Sequence, residues 1–315
     1  MRQLTTSSSP HIRSRWIAST IMRDVLISLI PVVISACVIH GIRAILLIMA
    51  GIVSCIITES FCTGKAGING SEVITGLLLA LSLPASVPWW IPVAGGVFSI
   101  LVVKHLCGGL GKNVFNPVLA ARAFLLLVWP VHLTIYPAMG MDGMTAATPL
   151  HAMQIPALPE SSLTDMFLGT IGGCIGETSV LAILLGAAYL LKRRVIRLHI
   201  PLAYLGTVAV LTLTFSGEEP PVQWMMYHLL SGSLLLGAVY MATDYVTSPV
   251  TPKGRIAFGI GCGVLTVILR SYGLYPEGVT YAILCMNPFA WALDRVFAPR
   301  VFGHEKGGRS REKRG

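Results

Sequence analysis

From Val25 to Thr58 the chain carries a single charged side chain, Arg43. A bilayer core takes about 20 apolar residues of helix, so a stretch like this has room for two crossings and little else. Similar stretches recur to the end of the chain. Ten apolar segments lie near 25–40, 43–58, 72–83, 88–104, 114–130, 167–191, 199–215, 225–242, 255–270 and 279–297. The third is short for a crossing. The sixth is long and is broken by Gly169, Gly172, Gly173 and Gly176. Charged residues are 12% of the 315, against about 25% in a soluble domain. That deficit excludes an ordinary cytosolic enzyme and a disordered chain. It also excludes a nucleic-acid binder, despite the net charge of +9. Seven Cys, mostly inside apolar runs, are too few for a disulfide scaffold. The remaining class is an all-α polytopic membrane protein with about ten transmembrane helices.

Charge sets the expected orientation. With the N-terminus cytoplasmic and ten spans, both termini are cytoplasmic, and 20 of the 23 basic residues fall on that side. They include Arg23, Lys65, Lys104, Lys112, the run Lys192, Arg193, Arg194 and Arg197, the pair Lys253 and Arg255, and the tail after Arg295. Arg43 and Arg270 fall outside, and Arg122 falls within a span. This is the positive-inside pattern, which here needs an even number of spans. Ile34-Ser35-Ala36-Cys37 looks like a lipoprotein cleavage box, but cleavage there would leave nine spans and spoil the pattern. The basic tail reads as a topology determinant.

The two halves resemble each other. Thr75-Gly76-Leu77-Leu78-Leu79 matches Ser231-Gly232-Ser233-Leu234-Leu235, Gly108 matches Gly273, and Asn116-Pro117 matches Asn287-Pro288. The offsets drift through 156, 165 and 171, as loop insertions produce. Five spans per half is an odd number, so the halves are expected to form two inverted five-helix repeats with short or broken helices. The expected parts are a cytoplasmic segment at 1–24, a first repeat at 25–130 and an extracytoplasmic loop at 131–166. A second repeat at 167–297 and a basic cytoplasmic tail at 298–315 complete them. Asn is a good N-cap and Pro suits the first helical turn, so each Asn-Pro pair is expected to start a helix. Whether such a start is structural or borders an anionic ligand stays open.

The link 131–166 has no Lys or Arg and is long enough to be functional. It contains Asp142-Gly143-Met144-Thr145-Ala146-Ala147-Thr148-Pro149-Leu150. A residue before proline is pushed to an extended conformation, which presents the Thr148 hydroxyl. Asp142-Gly143 would also suit a plain turn. The pattern Asp-Gly-x-Ser/Thr-x-Ala-Thr resembles the flavinylation motif of the NqrB/RnfD family. Ala146 stands where the commonest form has Gly, and the following Pro-Leu is typical of the family's Rnf branch. Gly111-Lys112-Asn113-Val114-Phe115-Asn116-Pro117, Thr243-Asp244-Tyr245 and Ser248-Pro249-Val250-Thr251-Pro252-Lys253-Gly254 resemble further family segments. So do Tyr272-Gly273, Pro276-Glu277-Gly278, Tyr281-Ala282 and Asn287-Pro288, and the resemblance covers roughly 20–300.

The resemblance implies a membrane subunit of an Rnf-type complex that passes electrons between ferredoxin and NAD and couples this to Na⁺ or H⁺ movement. It implies FMN joined through its phosphate to Thr148 by a flavin transferase, with Asp142, Gly143, Thr145 and Ala147 completing the motif. It further implies a second, non-covalent flavin (riboflavin or FMN), expected at the repeat interface. The implied partners are the other subunits of the complex, including an extracytoplasmic FMN-bearing one, and membrane lipid; nucleic acid is not expected. Such a chain would not be catalytic alone. Two rival readings are an NqrB-like subunit of a sodium-pumping NADH:quinone reductase and a channel or secondary transporter of the same repeat fold. The NqrB relative usually has a longer N-terminal region than the roughly 24 residues here.

Charged groups within spans cost about 2.5–3.5 kcal/mol on insertion scales and are functional candidates. Arg122, on the helix begun by Asn116, could pair with a flavin phosphate or a carboxylate. Glu177 could be its partner or an ion ligand. Glu72 and Asp244 sit at the ends of spans three and eight, and Glu59 and Asp294 are expected at the interface. Cys37, Cys55, Cys174, Cys262 and Cys285 read as small buried apolar residues. With no Cys-x-x-Cys and no His pair at helical spacing, neither an iron–sulfur cluster nor a metal site is expected. No nucleotide-binding glycine motif is present, so NAD would bind elsewhere in a complex.

Overall fold

The computed structural model describes residues 18–64, 70–109, 111–137, 159, 162–169, 172–177, 179–217, 219–273 and 277–298, and the backbone at 145–146. Two long helices open the fold, α1 (Ala18–His40) and α2 (Ile42–Thr63), and then the short α3 (Ser71–Leu81). Next, α4 (Trp90–Phe98) runs on into a π-helical stretch, Ser99–His105. After α5 (Pro117–Val128) and α6 (Pro130–Thr134) comes a two-residue ladder, in which β1 (Tyr136–Pro137) pairs antiparallel with β2 (Thr145–Ala146). The second half holds α7 (Leu163–Leu168), α8 (Val180–Lys192), α9 (His199–Thr214), α10 (Pro221–Leu230) and α11 (Leu234–Leu236). The last of these continues as a π-helix over Gly237–Met241. Three helices close the chain: α12 (Pro252–Tyr272), α13 (Val279–Met286) and α14 (Phe289–Val296).

Every apolar segment contains helix. Among the described residues α1, α2 and α12 are each long and apolar enough to cross a membrane, and α10 with α11 makes a fourth if their 63° bend is one broken span. The chain is a multi-pass membrane protein. Its outer surface agrees: Val38, Ile57, Phe61, Leu127, Leu202 and Val210 stand exposed on the helices, as lipid-facing side chains must.

Without water, each backbone polar group must find a partner inside the protein. The broken sixth segment shows how. α7 stops at Gly169, whose φ is +100°. Residues 172–177 are not helical, and their amides turn to the end of α3: Ile175 N donates to Leu83 O at 2.9 Å and Gly176 N to Leu81 O at 2.7 Å. A Cβ on Gly176 would lie 2.6 Å from Leu81 Cβ, so this approach requires glycine. Helix starts are capped in the same economical way. Asn116 Oδ1 accepts from Val118 N and Leu119 N, and Thr251 Oγ1 accepts from Gly254 N, with Pro at the first helical position in both. α9 and α12 pack closely through Gly259 and Gly263, where a Cβ would meet Ala203 and Thr207. That is small-residue packing of membrane helices, pinned by Tyr204 Oη and Thr266 Oγ1 at 2.6 Å.

Several expectations need correction. The eighth segment is not one helix; it breaks at Ser231–Ser233. Asn287 does not cap a helix start. It ends α13 with helical dihedrals (φ −54°, ψ −47°), and Pro288 bridges directly into α14. Cys285 is exposed and Cys37 half-buried, not buried apolar filler. Glu59, near the end of α2, is buried, and Arg270, in the last turn of α12, is 3% exposed.

Candidate functional site

Asp142, Gly143, Ala147 and Thr148 lie outside the described residues. Of the motif, Thr145 and Ala146 are described as backbone, paired with Pro137 and Tyr136 respectively. The ladder therefore ties the motif to Tyr136, a buried residue whose hydroxyl donates to Glu277 Oε1 at 3.3 Å. Glu277 forms an ion pair with Arg122. Arg122 Nη2 also donates to Cys174 Sγ at 3.2 Å, and that thiol donates to Glu277 Oε1 at 3.5 Å. Glu177 Oε1 accepts from Cys174 N at 2.7 Å. Four separated pieces of chain thus meet in one buried polar cluster: α5, the segment after α6, the broken stretch before α8, and the link before α13.

Sequence reasoning offers Arg122 a flavin phosphate or a carboxylate as partner, and Glu177 as that partner or an ion ligand. The structure gives that role to Glu277, while Glu177 holds the turn at Cys174. In the sequence Glu277 stands out only as part of a loop motif. The available signal is its position between Pro276 and Gly278, a lone acid in a short link beside apolar spans. Among the described residues two atoms of the cluster have no hydrogen-bond partner, Arg122 Nη1 and Glu177 Oε2. The ligand atoms of Cys174, Glu177 and Glu277 lie within 4.8 Å of one another, close enough to share a metal ion. Arg122 already supplies a positive charge to Glu277, so the arrangement favours an ion pair over metal binding.

A second polar region lies at the opposite, basic end. Glu59 on α2 pairs with Lys104 at 2.8 Å and with His105 at 3.1 Å, and Lys104 Nζ donates to Ser71 Oγ at 3.0 Å. Asp24 on α1, which sequence reasoning passes over, is buried against Arg193 (3.2 Å) and the Tyr189 hydroxyl (3.2 Å). Glu72 accepts from Ser71 Oγ and Gly70 N at the start of α3, a capping role. Asp294 likewise serves structure, accepting from Val250 N and Thr251 N ahead of α12.

Between these regions the two halves meet at Asn116. Its Nδ2 donates to Met241 O at 3.2 Å, across 125 residues of sequence. With the Asn287 amide turned to satisfy both neighbours, its oxygen accepts from Asn116 N at 2.9 Å and its nitrogen donates to Ile283 O at 2.9 Å. The two Asn-Pro pairs therefore touch, although only the first caps a helix. Beside Asn116 opens a cavity of about 170 Å³, bounded by α1, α3, α5 and the second half. Its lining is mostly apolar, with Lys104, Asn116, Tyr240, Asp244 and Tyr245 among the polar groups. An apolar cleft with a few convergent polar groups is the usual form of a small-molecule site.

Known proteins resemble this chain over nearly its whole length. The D subunit of a Na(+)-translocating ferredoxin:NAD(+) oxidoreductase complex from Acetobacterium woodii is 44% identical over 314 residues, covering 96% of this chain and 96% of that protein. The D subunit of a proton-translocating ferredoxin:NAD(+) oxidoreductase complex from Clostridium ljungdahlii is 39% identical, covering 95% of this chain and 96% of that protein. The D subunit of an ion-translocating oxidoreductase complex from Stutzerimonas stutzeri is 38% identical, covering 92% of this chain and 93% of that protein. A family model described as NQR2, RnfD, RnfE matches residues 5–303, and the chain belongs to that family.

Proposed function

We propose that this protein is the flavin-bearing membrane subunit of an Rnf-type complex, carrying electrons between partner subunits while the complex moves Na⁺ or H⁺. The observation that carries the reading is the motif Asp142–Thr148 in a chain whose relatives are named as D subunits of ferredoxin:NAD(+) oxidoreductase complexes. FMN bound through its phosphate to Thr148 would supply electron transfer without the loss of cofactor. Asp142, Gly143, Thr145 and Ala147 would present the threonine to a flavin transferase. Thr148 follows Ala146 by two residues, a reach of at most about 7 Å from the ladder beside Tyr136. The Tyr136–Glu277–Arg122 chain would hold that anchor firmly, which supports a tethered carrier with a defined starting position.

The cavity beside Asn116 fits a second, non-covalent flavin in chemistry: an apolar slot, Tyr240 and Tyr245 as aromatic walls, and Asn116 and Lys104 as hydrogen-bond donors. Bound there, a flavin would add a second carrier nearer the basic end. The charge distribution supports cytoplasmic termini and an extracytoplasmic Thr148, in the inner membrane of a cell that also makes the partner subunits.

The test is made on the full chain expressed in membranes with a flavin transferase. Denaturing gels are read for flavin fluorescence in wild type and Thr148→Ala. The expected result is a fluorescent band in the wild type and a dark one in the variant. A dark wild-type band, with an unmodified 142–150 peptide by mass spectrometry despite an active transferase, would return the chain to the transporter reading.

A further inference from the structure

Three arginines converge on a second cavity at the basic end. It measures about 370 Å³ and is bounded by Arg194, Arg197, Arg255, Thr243, Tyr245 and Ser248. Arg197 and Arg255 are close enough to repel one another, and both act on Tyr245. Asp294 lies within reach of Arg255 and keeps its charge while accepting from Val250 N at 2.9 Å, Thr251 N at 2.9 Å and Thr251 Oγ1 at 2.8 Å, which sets one carboxylate against three guanidinium groups. The cavity therefore holds more positive charge than its surroundings neutralise.

The backbone supplies an independent observation. α8 ends in a Schellman turn: Val195 N donates to Leu190 O at 2.9 Å and Arg194 N to Leu191 O at 3.0 Å. The left-handed position of this turn usually belongs to glycine, because a Cβ is strained there. Here it is Arg194, at φ +56°, the one non-glycine residue with positive φ among the described residues. Strain kept at a position where glycine would relieve it points to a task for the side chain. The rim is apolar: Val250 lines the cavity, and Leu198, Leu202 and Ile256 stand exposed on the adjoining turns of α9 and α12. Two apolar helices begin here, so the cavity sits where hydrocarbon gives way to headgroups.

We propose that this cavity binds the phosphate headgroup of an anionic phospholipid, with Arg194, Arg197 and Arg255 on the phosphate and the apolar rim along the acyl chains. Polybasic pockets beside membrane helices recognise such lipids by charge and phosphate hydrogen bonding. Guanidinium groups suit this because each presents paired donors in a plane. The exposed aliphatic rim favours a lipid over an acidic protein surface, which would need polar neighbours. The proposal is independent of flavin attachment.

The experiment uses the full chain purified in mild detergent, probed with cardiolipin, phosphatidylglycerol, phosphatidylcholine or inorganic phosphate. Lipid retention is read by native mass spectrometry. The test variant is Arg194→Gly with Arg197→Gln; glycine suits the left-handed turn, so α8 keeps its ending. Arg295→Gln, exposed at the same end, is the control. Wild type is expected to retain the two anionic lipids and not phosphatidylcholine. The double variant is expected to bind them about 30-fold more weakly, at roughly fivefold per near-surface arginine, and the control as wild type. Four results would overturn the proposal. One is equal retention by the double variant, and another an equal loss in the control, which would mean bulk charge attraction. A third is displacement of the lipid by millimolar inorganic phosphate, which would mean a free-phosphate site. The last is loss of a co-purifying subunit with lipid retention unchanged, which would assign the arginines to a protein partner.

Discussion

Arg122 and Arg270 are both buried within the helix bundle, at 5% and 3% exposure, and they are satisfied in different ways. Arg122 meets a carboxylate, Glu277, and a thiol, Cys174. Arg270 meets backbone: its Nη1 donates to His228 O at 2.6 Å and its Nη2 to Ser231 O at 3.0 Å. Those carbonyls close the C-terminal end of α10, where the helix dipole leaves partial negative charge. The first arginine joins distant parts of the chain through a counter-ion. The second stabilises a break in one span by capping it. A buried charge in a membrane protein can thus mark either a junction or a bend, and the partner decides which.

The largest effect is expected on the junction. Arg122→Leu leaves Glu277 buried without its cation and should destabilise the protein by about 3–5 kcal/mol. Tryptophan fluorescence during thermal unfolding in detergent would measure it. Adding Glu277→Leu should recover part of the loss, and a double variant no better than the single one would deny the coupling. The bend should respond less. Arg270→Leu strips two carbonyls of their donors, about 0.5–1.5 kcal/mol for each once water enters the small cavity beside them. Hydrogen exchange should then rise in α10 and spare α5; exchange spreading to α5 would show that the two arginines act as one network.

The paired asparagines sharpen the contrast further. Asn116→Ala removes a helix cap, at about 1 kcal/mol, and also the bond to Met241 O. Asn287→Ala removes no cap and should cost less. Equal losses of melting temperature in the two variants would mean that the Asn287 bond to the Asn116 backbone amide is worth as much as the cap and the Met241 bond together. Smallest and opposite in sign is Arg194→Gly, expected to stabilise by about 1 kcal/mol by relieving the left-handed strain. A clear drop in melting temperature in lipid-free detergent would contradict it.

Much of the architecture is legible from hydropathy, because membrane spans need long apolar runs whatever they do. The glycine-broken sixth segment is legible too, since Gly169 and Gly176 sit where positive φ and close approach demand them. The bend at Ser231–Ser233 is marked only by a three-residue Ser-Gly-Ser interruption of the apolar run, and its stabilising partner, Arg270, is remote in sequence. Asn287-Pro288 misleads for a related reason: the dipeptide favours a helix start, but α13 already supplies helical geometry before it. In the polar cluster Arg122 can be identified from sequence and Glu277 cannot. Choosing between Glu177 and Glu277 needs the relative placement of 172–177 and α13, which no local pattern encodes.

The π-helical stretches carry one further consequence. Within Ser99–His105 the amide of Leu106 reaches back five residues to Leu101 O, at 3.2 Å, and Ala242 does the same to Gly237 O at 2.7 Å. Each stretch winds its helix more slowly than an α-turn and so sets the angular phase of the residues beyond it. Removing one residue between Ser99 and Val103 would leave hydropathy and length almost unchanged. It would nevertheless rotate Lys104 by up to one residue's turn, less than the ~100° of an α-helix, and shift it from Glu59 and Ser71. The stretch works as a phase-setter, and its role would surface in a deletion series while a substitution scan passed over it.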